Sequence, residues 1–367
     1  MKKLLSLFLI FAFVFSLVSC SEIGKMPIDE EFTTENNSYD PNRRRRENED
    51  FRYRVFNNSS VIIMKYIGDK KDVTIPMELD GYPVTSIDFQ AFFMNNEIES
   101  VVIADSISSI GSSAFSRCEN LKTVTLSSSL FSTGYNTFQD CISLESVIFK
   151  EGIELIGDYA FFGCEKLVDF KLPDGILALN TYSLGNCKSL QELIIPDSVT
   201  AIGRLALIGC DNLKYIKFPR NMTGVNYNEN YLFADTGLKD ITMPENLTVI
   251  EPDDLYLFEN LENIFVSDSN TAYTSVRGVL YDKSIKNLIV YPNENKSTRY
   301  DIPEKVENIS KYAFSGNQWL RAIYIPKSVT DIGESAFSSS DKLTVFVYKD
   351  SYAHKYAQEN KINFIII

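Results

Sequence analysis

Histidine and tryptophan are almost missing: the 367-residue chain has one of each, His354 and Trp319. A single histidine excludes His-rich metal sites and leaves little room for a Ser/His/Asp mechanism. Positive charge is also short, with 36 Lys and Arg against 49 Asp and Glu for a net charge of −13. Nucleic-acid binding needs the opposite balance, because phosphates are neutralised by Lys and Arg, so no nucleic-acid partner is expected. There is no GxGxxG, no P-loop, no HExxH, no GxSxG and no EF-hand loop. Carboxylates are plentiful, but nothing singles out a pair with one raised and one ordinary pKa, as glycoside hydrolysis requires. The chain is therefore expected to be no enzyme and to hold no catalytic residue, metal or cofactor.

Long apolar runs are confined to the first 20 residues. Met1-Lys2-Lys3 is a short positive start, and Leu4 to Val18 is an apolar stretch too short to span a bilayer comfortably. It ends in Leu17-Val18-Ser19-Cys20, which resembles the lipobox of bacterial lipoproteins, whose cysteine is acylated. Residues 1–20 are thus expected to be a lipoprotein export signal with Cys20 as the lipid attachment point. The resulting location is the bacterial cell envelope, held by lipid alone and exposed at the surface. Residues 21–50 are polar, with Pro27 and Pro41, and read as a disordered tether about 30 Å in reach. The run Arg43-Arg44-Arg45-Arg46 within it, flanked by Glu47, Glu49 and Asp50, reads as solvated charge rather than as a lipid contact.

The rest of the chain is one unit written many times. Ile98, Leu121, Leu144, Leu167, Leu190 and Leu213 are 23 residues apart, and the column continues at Leu238, Leu261, Leu320 and Leu343. The cysteines test the period independently: Cys118, Cys141, Cys164, Cys187 and Cys210 share the same spacing. Such a period marks a solenoid. Counting from the Leu column, apolar residues at positions 1, 4 and 6 describe a short strand with one buried face. A proline often ends it, as at Pro173, Pro196 and Pro326, because proline has no N–H for a ladder. A second extended piece follows, such as Val199 to Ile202. Next comes Gly or Asn (Gly111, Gly134, Gly157, Asn180, Gly203, Gly333), where a corner with positive φ is expected. A small–large pair closes the unit, as in Ala114-Phe115 and Ala160-Phe161, and a single short helical turn is expected there. The cysteine column holds Asn95, Asp235, Asn317 and Ser340 in other units, so it reads as a structural ladder of free thiols that closes turns, not as a metal or disulfide site.

The motif LxxVxIPxSVxxIGxxAFxxC resembles the BspA-like, or Treponema pallidum type, family of leucine-rich repeats. The resemblance covers about residues 51–367. It implies a right-handed β/α solenoid of about 11 units of 23 residues, with short parallel strands and short helical or 3-10 turns. Residues 51–97 look like the family's N-terminal cap and first repeat, 98–342 like the repeat array and 343–367 like the C-terminal cap of helix and strand. Two departures interrupt the period. Leu213 to Leu238 is 25 residues, with Asn226 to Tyr231 bulging out. Leu261 to Leu320 is 59, and includes a β-hairpin insertion near 267–298. Its strands flank a turn at Asp282 to Asn287 and are expected to leave the solenoid.

The outward strand positions are the best candidate surface: Val102, Ile148, Lys171, Ile194, Lys217, Phe265 and Tyr324 at position 5, with Tyr215 at position 3. Several are apolar where solvent is expected, which suits a partner site. The family resemblance implies an adhesin-like binder of host or matrix proteins. A glycan-binding accessory protein and a structural envelope protein without specific ligand are the alternatives. The expected partner is an extracellular protein or glycan, and the chain is expected to be a monomer.

Overall fold

The structure is a computed structural model. It describes residues 45–223, 235–250, 260–340 and 342–367. The export segment with Cys20, residues 21–44 of the tether and the 226–231 bulge lie outside these residues.

Residues 72–366 coil into a parallel β-solenoid of about 12 turns, each about 23 residues. Two walls are strands. The first stacks Asp72–Ile75, Ser100–Ile103, Thr123–Thr125, Ser146–Ile148 and Asp169–Phe170 in parallel, with partners 23 residues apart such as Val124 and Val147. The second stacks shorter strands, including Leu155–Ile156, Ala178–Leu179 and Ala201–Ile202. The alternation foreseen in the sequence sets the burial: Val147 faces the core while Ile148 faces solvent.

The third wall differs from expectation. Residues such as 111–117 are successive turns, with no helical or 3-10 assignment. The reason lies in where their N–H groups go. Ala114, Ser116 and Cys118 donate within the turn, to Gly111, Ser113 and Phe115, while the residues between them (Ser113, Phe115, Arg117) donate to Tyr135, Thr137 and Gln139 of the next rung. Half of the donors are spent between rungs, so an i→i−4 ladder cannot form. Of the corner residues at which positive φ is expected, Gly134 has it (φ 83°) and the others do not. Gly111, Gly157, Gly203 and Gly333 are not left-handed; that conformation is taken two residues later, by Ser113, Tyr159, Leu205 and Ser335. Those glycines are needed for closeness: a Cβ on Gly157 would lie 2.0 Å from the Gly134 carbonyl oxygen of the rung before.

Side chains repeat the same inter-rung logic. Rings of Phe92, Phe115, Phe138 and Phe161 stack in series at 4.5, 5.3 and 5.3 Å, capped by Tyr66. Beside them, each cysteine donates its S–H to a carbonyl of the previous rung: Cys118 to Phe92, Cys141 to Phe115, Cys164 to Phe138, Cys187 to Phe161 and Cys210 to Leu184, at 3.1–3.3 Å. Ser340 makes the same contact to Phe314 at 3.1 Å. Asn317 reaches the Pro292 carbonyl with Nδ2 while its Oδ1 accepts from the Trp319 and Leu320 amides. All five thiols are free and buried. Burial pushes the thiols of Cys141, Cys164 and Cys187 well up, and that of Cys210 up to about 12.

Both ends are closed. Phe51–Phe56 and Ser60–Tyr66 form an antiparallel pair whose second strand hands over to the solenoid through Tyr82–Ile87. Arg45–Glu47, placed by the sequence in the coil, is instead a strand on Arg52–Arg54, and Arg46 binds Asp80 at 2.8 Å. At the other end helix Tyr352–Glu359, N-capped by Ser351, leads to Asn363–Ile366, which pairs with Thr344–Val347. The insertion does not leave the solenoid. Tyr273–Val276, Val279–Asp282 and Asn287–Val290 form a three-stranded meander whose last strand joins the second wall beside Asn308–Ile309. Its first turn, Arg277-Gly278, has both φ values positive, as a two-residue hairpin requires. Leu280 and Ile289 belong to one core cluster and Tyr281 and Leu288 to the other, so the meander is the partition between two cores. A buried hydroxyl pair, Tyr281 with Tyr300, ties it to the following rung.

Two measurements check this ladder. Phe138→Ala removes one ring from a continuous stack and is expected to lower stability by about 3–5 kcal/mol in denaturant titration; a loss below ~1 kcal/mol contradicts the packing described. Because thiolates are the reactive form and burial disfavours them, a thiol reagent at pH 8 should label none of the five ladder cysteines in the folded chain and all five after unfolding. Loss of two or four thiols from the unfolded count would mean disulfides instead.

Candidate functional site

The outward column is where the sequence put it. Ile148 (52% exposed), Ile194 (49%) and Phe265 (47%) stand free on the first wall, with Val102, Lys171 and Lys217 also exposed. Tyr324 is only partly exposed, because its ring stacks on Phe346 at 4.3 Å and carries the Arg299 guanidinium on its other side. Tyr215 is exposed as well. The column is not one continuous stripe, because the wall beneath it is broken.

Three breaks interrupt the first wall. One falls at the 25-residue spacing, between Tyr215–Lys217 and Asp240–Met243, and one at the meander, between Asn263–Val266 and Arg299–Asp301. The remaining break has no insertion beside it. Asp169–Phe170 ends one sheet and Glu192–Ile194 begins the next, although the repeats on both sides keep the 23-residue period. Elsewhere in this wall two successive amides share one carbonyl of the rung before: Lys122 and Thr123 on Glu99, Val168 and Asp169 on Glu145, Lys214 and Tyr215 on Gln191. The corresponding pair here, Gln191 and Glu192 on Val168, makes no such bond. The second wall is unbroken across the same two rungs, with Ala178 opposite Ala201 and Leu179 opposite Ile202. Only the strand wall opens.

The opening is a cleft of about 430 Å³, within the range of ligand sites. Phe170, Leu172 and Ile195 form its floor, while Asp169, Lys171, Glu192, Ile194 and Lys217 stand around its mouth. Val168, 54% exposed, extends the apolar rim. Three sequence candidates, Lys171, Ile194 and Lys217, thus meet at one place; Ile148 and Tyr215 sit on the neighbouring strands, while Val102, Phe265 and Tyr324 belong to other rungs. Val168, Asp174 and Asp197 of the lining are not among the sequence candidates; Val168 carries a signal, as an apolar residue where Glu99, Lys122, Glu145, Gln191 and Lys214 stand in other units, while Asp174 and Asp197 carry none. The charges are unequally engaged. Lys171 pairs with Asp169 at 3.2 Å and Arg220 with Asp197 at 2.6 Å; that guanidinium and the Arg220 amide lower the Asp197 carboxyl below its usual range. Among the described residues Glu192, Asp174 and Lys217 have no ion-pair partner. Such a site offers backbone edges, an apolar floor and mixed charge, a combination suited to holding a ligand.

Comparison with known proteins gives a consistent assignment. A model of the BspA type leucine rich repeat region, six copies long, matches residues 85–213, 178–297 and 289–361. The solved structure of a leucine rich cell surface protein from Faecalibacterium prausnitzii A2-165 is similar at 25% identity and a TM-score of 0.56, over 82% of this chain and 76% of that one. A leucine-rich repeat protein from Bacteroides ovatus ATCC 8483 is 23% identical with a TM-score of 0.52, over 88% of this chain and 99% of that one, a likeness of fold. No curated protein matches the sequence. The matched segments span the repeats on both sides of the meander, and the chain belongs to the BspA type leucine rich repeat family.

Proposed function

We propose that this chain is a surface-displayed binding module, adhesin-like in role, that recognises an extracellular protein through the first strand wall. The observation carrying this reading is the set of exposed aliphatic side chains at the cleft and beside it, Val168 and Ile194 in its lining and Ile148 on the adjoining strand. Exposed apolar groups that adjoin one another mark partner sites more often than isolated ones do. Binding rather than catalysis is supported by a surface built from recurring residues, whereas a reaction centre needs singular ones. The similar Faecalibacterium prausnitzii protein is described as a cell surface protein, which supports display outside the cell. Lipid attachment at Cys20, export through residues 1–20 and a monomeric state remain part of this proposal on the strength of the sequence. A glycan ligand has one observation in its favour: the rings of Tyr135, Tyr159, Phe162 and Tyr182 cluster on the turn wall. Tyr159 and Tyr182 stack on each other at 4.7 Å, which occupies the ring faces a sugar would use.

Immobilised mature protein, screened against extracellular matrix proteins and a glycan array, tests the reading. Saturable protein binding is expected, weakened roughly tenfold or more by Ile148→Glu, as for a residue worth over ~1.4 kcal/mol at an interface. Binding to glycans alone, or turnover of a polysaccharide or peptide library, would refute it. Radiolabelled fatty acid should be incorporated by the full chain and not by Cys20→Ala.

A further inference from the structure

We infer that the cleft between Asp169–Phe170 and Glu192–Ile194 receives an extended peptide segment, which completes the strand wall by adding a strand between two facing edges. The inference rests on the binding role just proposed and names the partner chemistry of the same site.

Backbone comes first. A strand edge carries N–H and C=O groups that lack a ladder partner and is a template for another strand. Solenoid rungs normally cancel their edges against each other, and these two rungs do so along the second wall and the turn wall but not along the first. The Gln191 and Glu192 amides and the Val168 carbonyl, which would pair by the rule of the other rungs, make no bond to one another, and Val168 and Glu192 line the opening. A sugar or a small apolar molecule can fill volume, but a polypeptide backbone matches alternating donors and acceptors on two sides at once.

The opening has the shape of a local lens. Upstream, the Ser189 amide donates to the Glu165 carbonyl at 2.9 Å and Lys188 bridges to Glu165 at 2.7 Å. Downstream, the Gly175 amide donates to Ser198 Oγ at 3.2 Å, and the Thr200 amide to the Leu177 carbonyl at 2.9 Å. Both ends of the two rungs are therefore pinned together. Between the pins, residues 168–172 provide about 16 Å of edge at ~3.3 Å per residue, enough for about five residues of extended chain.

Side chains specify the segment. In the 23-residue register Asp169 lies across from Glu192, both exposed and acidic. A peptide residue pointing outward between them would be basic. The next residue points inward, toward the apolar lining of Phe170, Leu172 and Ile195, and would be apolar. The one after points outward between Lys171 and Ile194, with Lys217 on the following strand, and would be acidic. For a segment running parallel to the wall this gives the order basic, apolar, acidic. Opposite charges on adjacent strands stabilise the pairing, and like charges directly opposite destabilise it.

The probe is a capped pentapeptide with threonine at each end and lysine, valine and glutamate between, offered at millimolar concentration to the mature protein. Hydrogen exchange is expected to slow at the Gln191 and Glu192 amides, and titration should give saturable binding. The same peptide N-methylated at its valine should lose that binding, since it lacks a donor that strand addition requires. Glu192→Lys, at an exposed site with no ion pair to break, should weaken binding roughly fivefold, equivalent to about 1 kcal/mol. Equal binding of the N-methylated peptide, unchanged exchange at Gln191 and Glu192, or no peptide binding at all would each overturn strand addition. Macromolecular binding that is lost in Ile148→Glu but survives Glu192→Lys would end this inference and leave the broader binding role standing.

Discussion

A carbonyl buried between two rungs must accept a hydrogen bond, and in this protein the donor often comes from the neighbouring rung, the later one for the thiol column and the earlier one for the turn wall. That single requirement organises most of the molecule. It explains why Cys118 through Cys210 share a column with Ser340 and Asn317: thiol, hydroxyl and amide are all compact donors that reach a carbonyl one turn back. It also explains why the Ala–Phe corner is a train of turns instead of a helix, since alternate amides are committed to the neighbour. Leaving such a group unpaired in the interior costs about 1–3 kcal/mol, so the demand repeats with the period and the composition repeats with it.

Stacking identical turns also brings like charges close, and the surface answers with pairs across rungs. Glu99 sits between Lys71 and Lys122, at 2.7 and 2.6 Å, and the two ammonium groups hold its carboxyl at about 2. Lys188 with Glu165, Arg220 with Asp197 and Lys239 with Glu262 repeat the arrangement at the 23-residue spacing. These pairs are exposed, so each contributes little; their value is to keep an acidic chain from repelling itself along the stack.

The proposed binding site lies where the period is kept but the pairing is not. The cleft beside Glu192 interrupts one wall while the other continues, so the core stays sealed below an open edge. The meander breaks the period and also interrupts the first wall, but it continues the second by lending it a strand, and it gives two faces to two cores. Reading the insertion as a projecting hairpin missed this because Tyr281, Leu288 and Tyr291 look like ordinary strand residues until their burial is known. The first of its two hairpins turns at Arg277-Gly278, where both residues have positive φ.

The repeat, the buried face of each strand and the thiol column were legible in the sequence, because a period of 23 leaves the same residue types in the same environment and chemistry of that kind is local to the unit. Position 5 was likewise correctly placed on the outside by simple alternation. What sequence could not determine is how one unit meets the next. Gly157 reads as a flexible corner, and only the 2.0 Å approach to Gly134 reveals a steric demand from another rung. Asp169 and Glu192 are polar strand residues like others in their column, and only the stack decides that their strands stand apart. Pairing between rungs is a property of two units together, so it is written in the tertiary structure and not in either copy of the repeat.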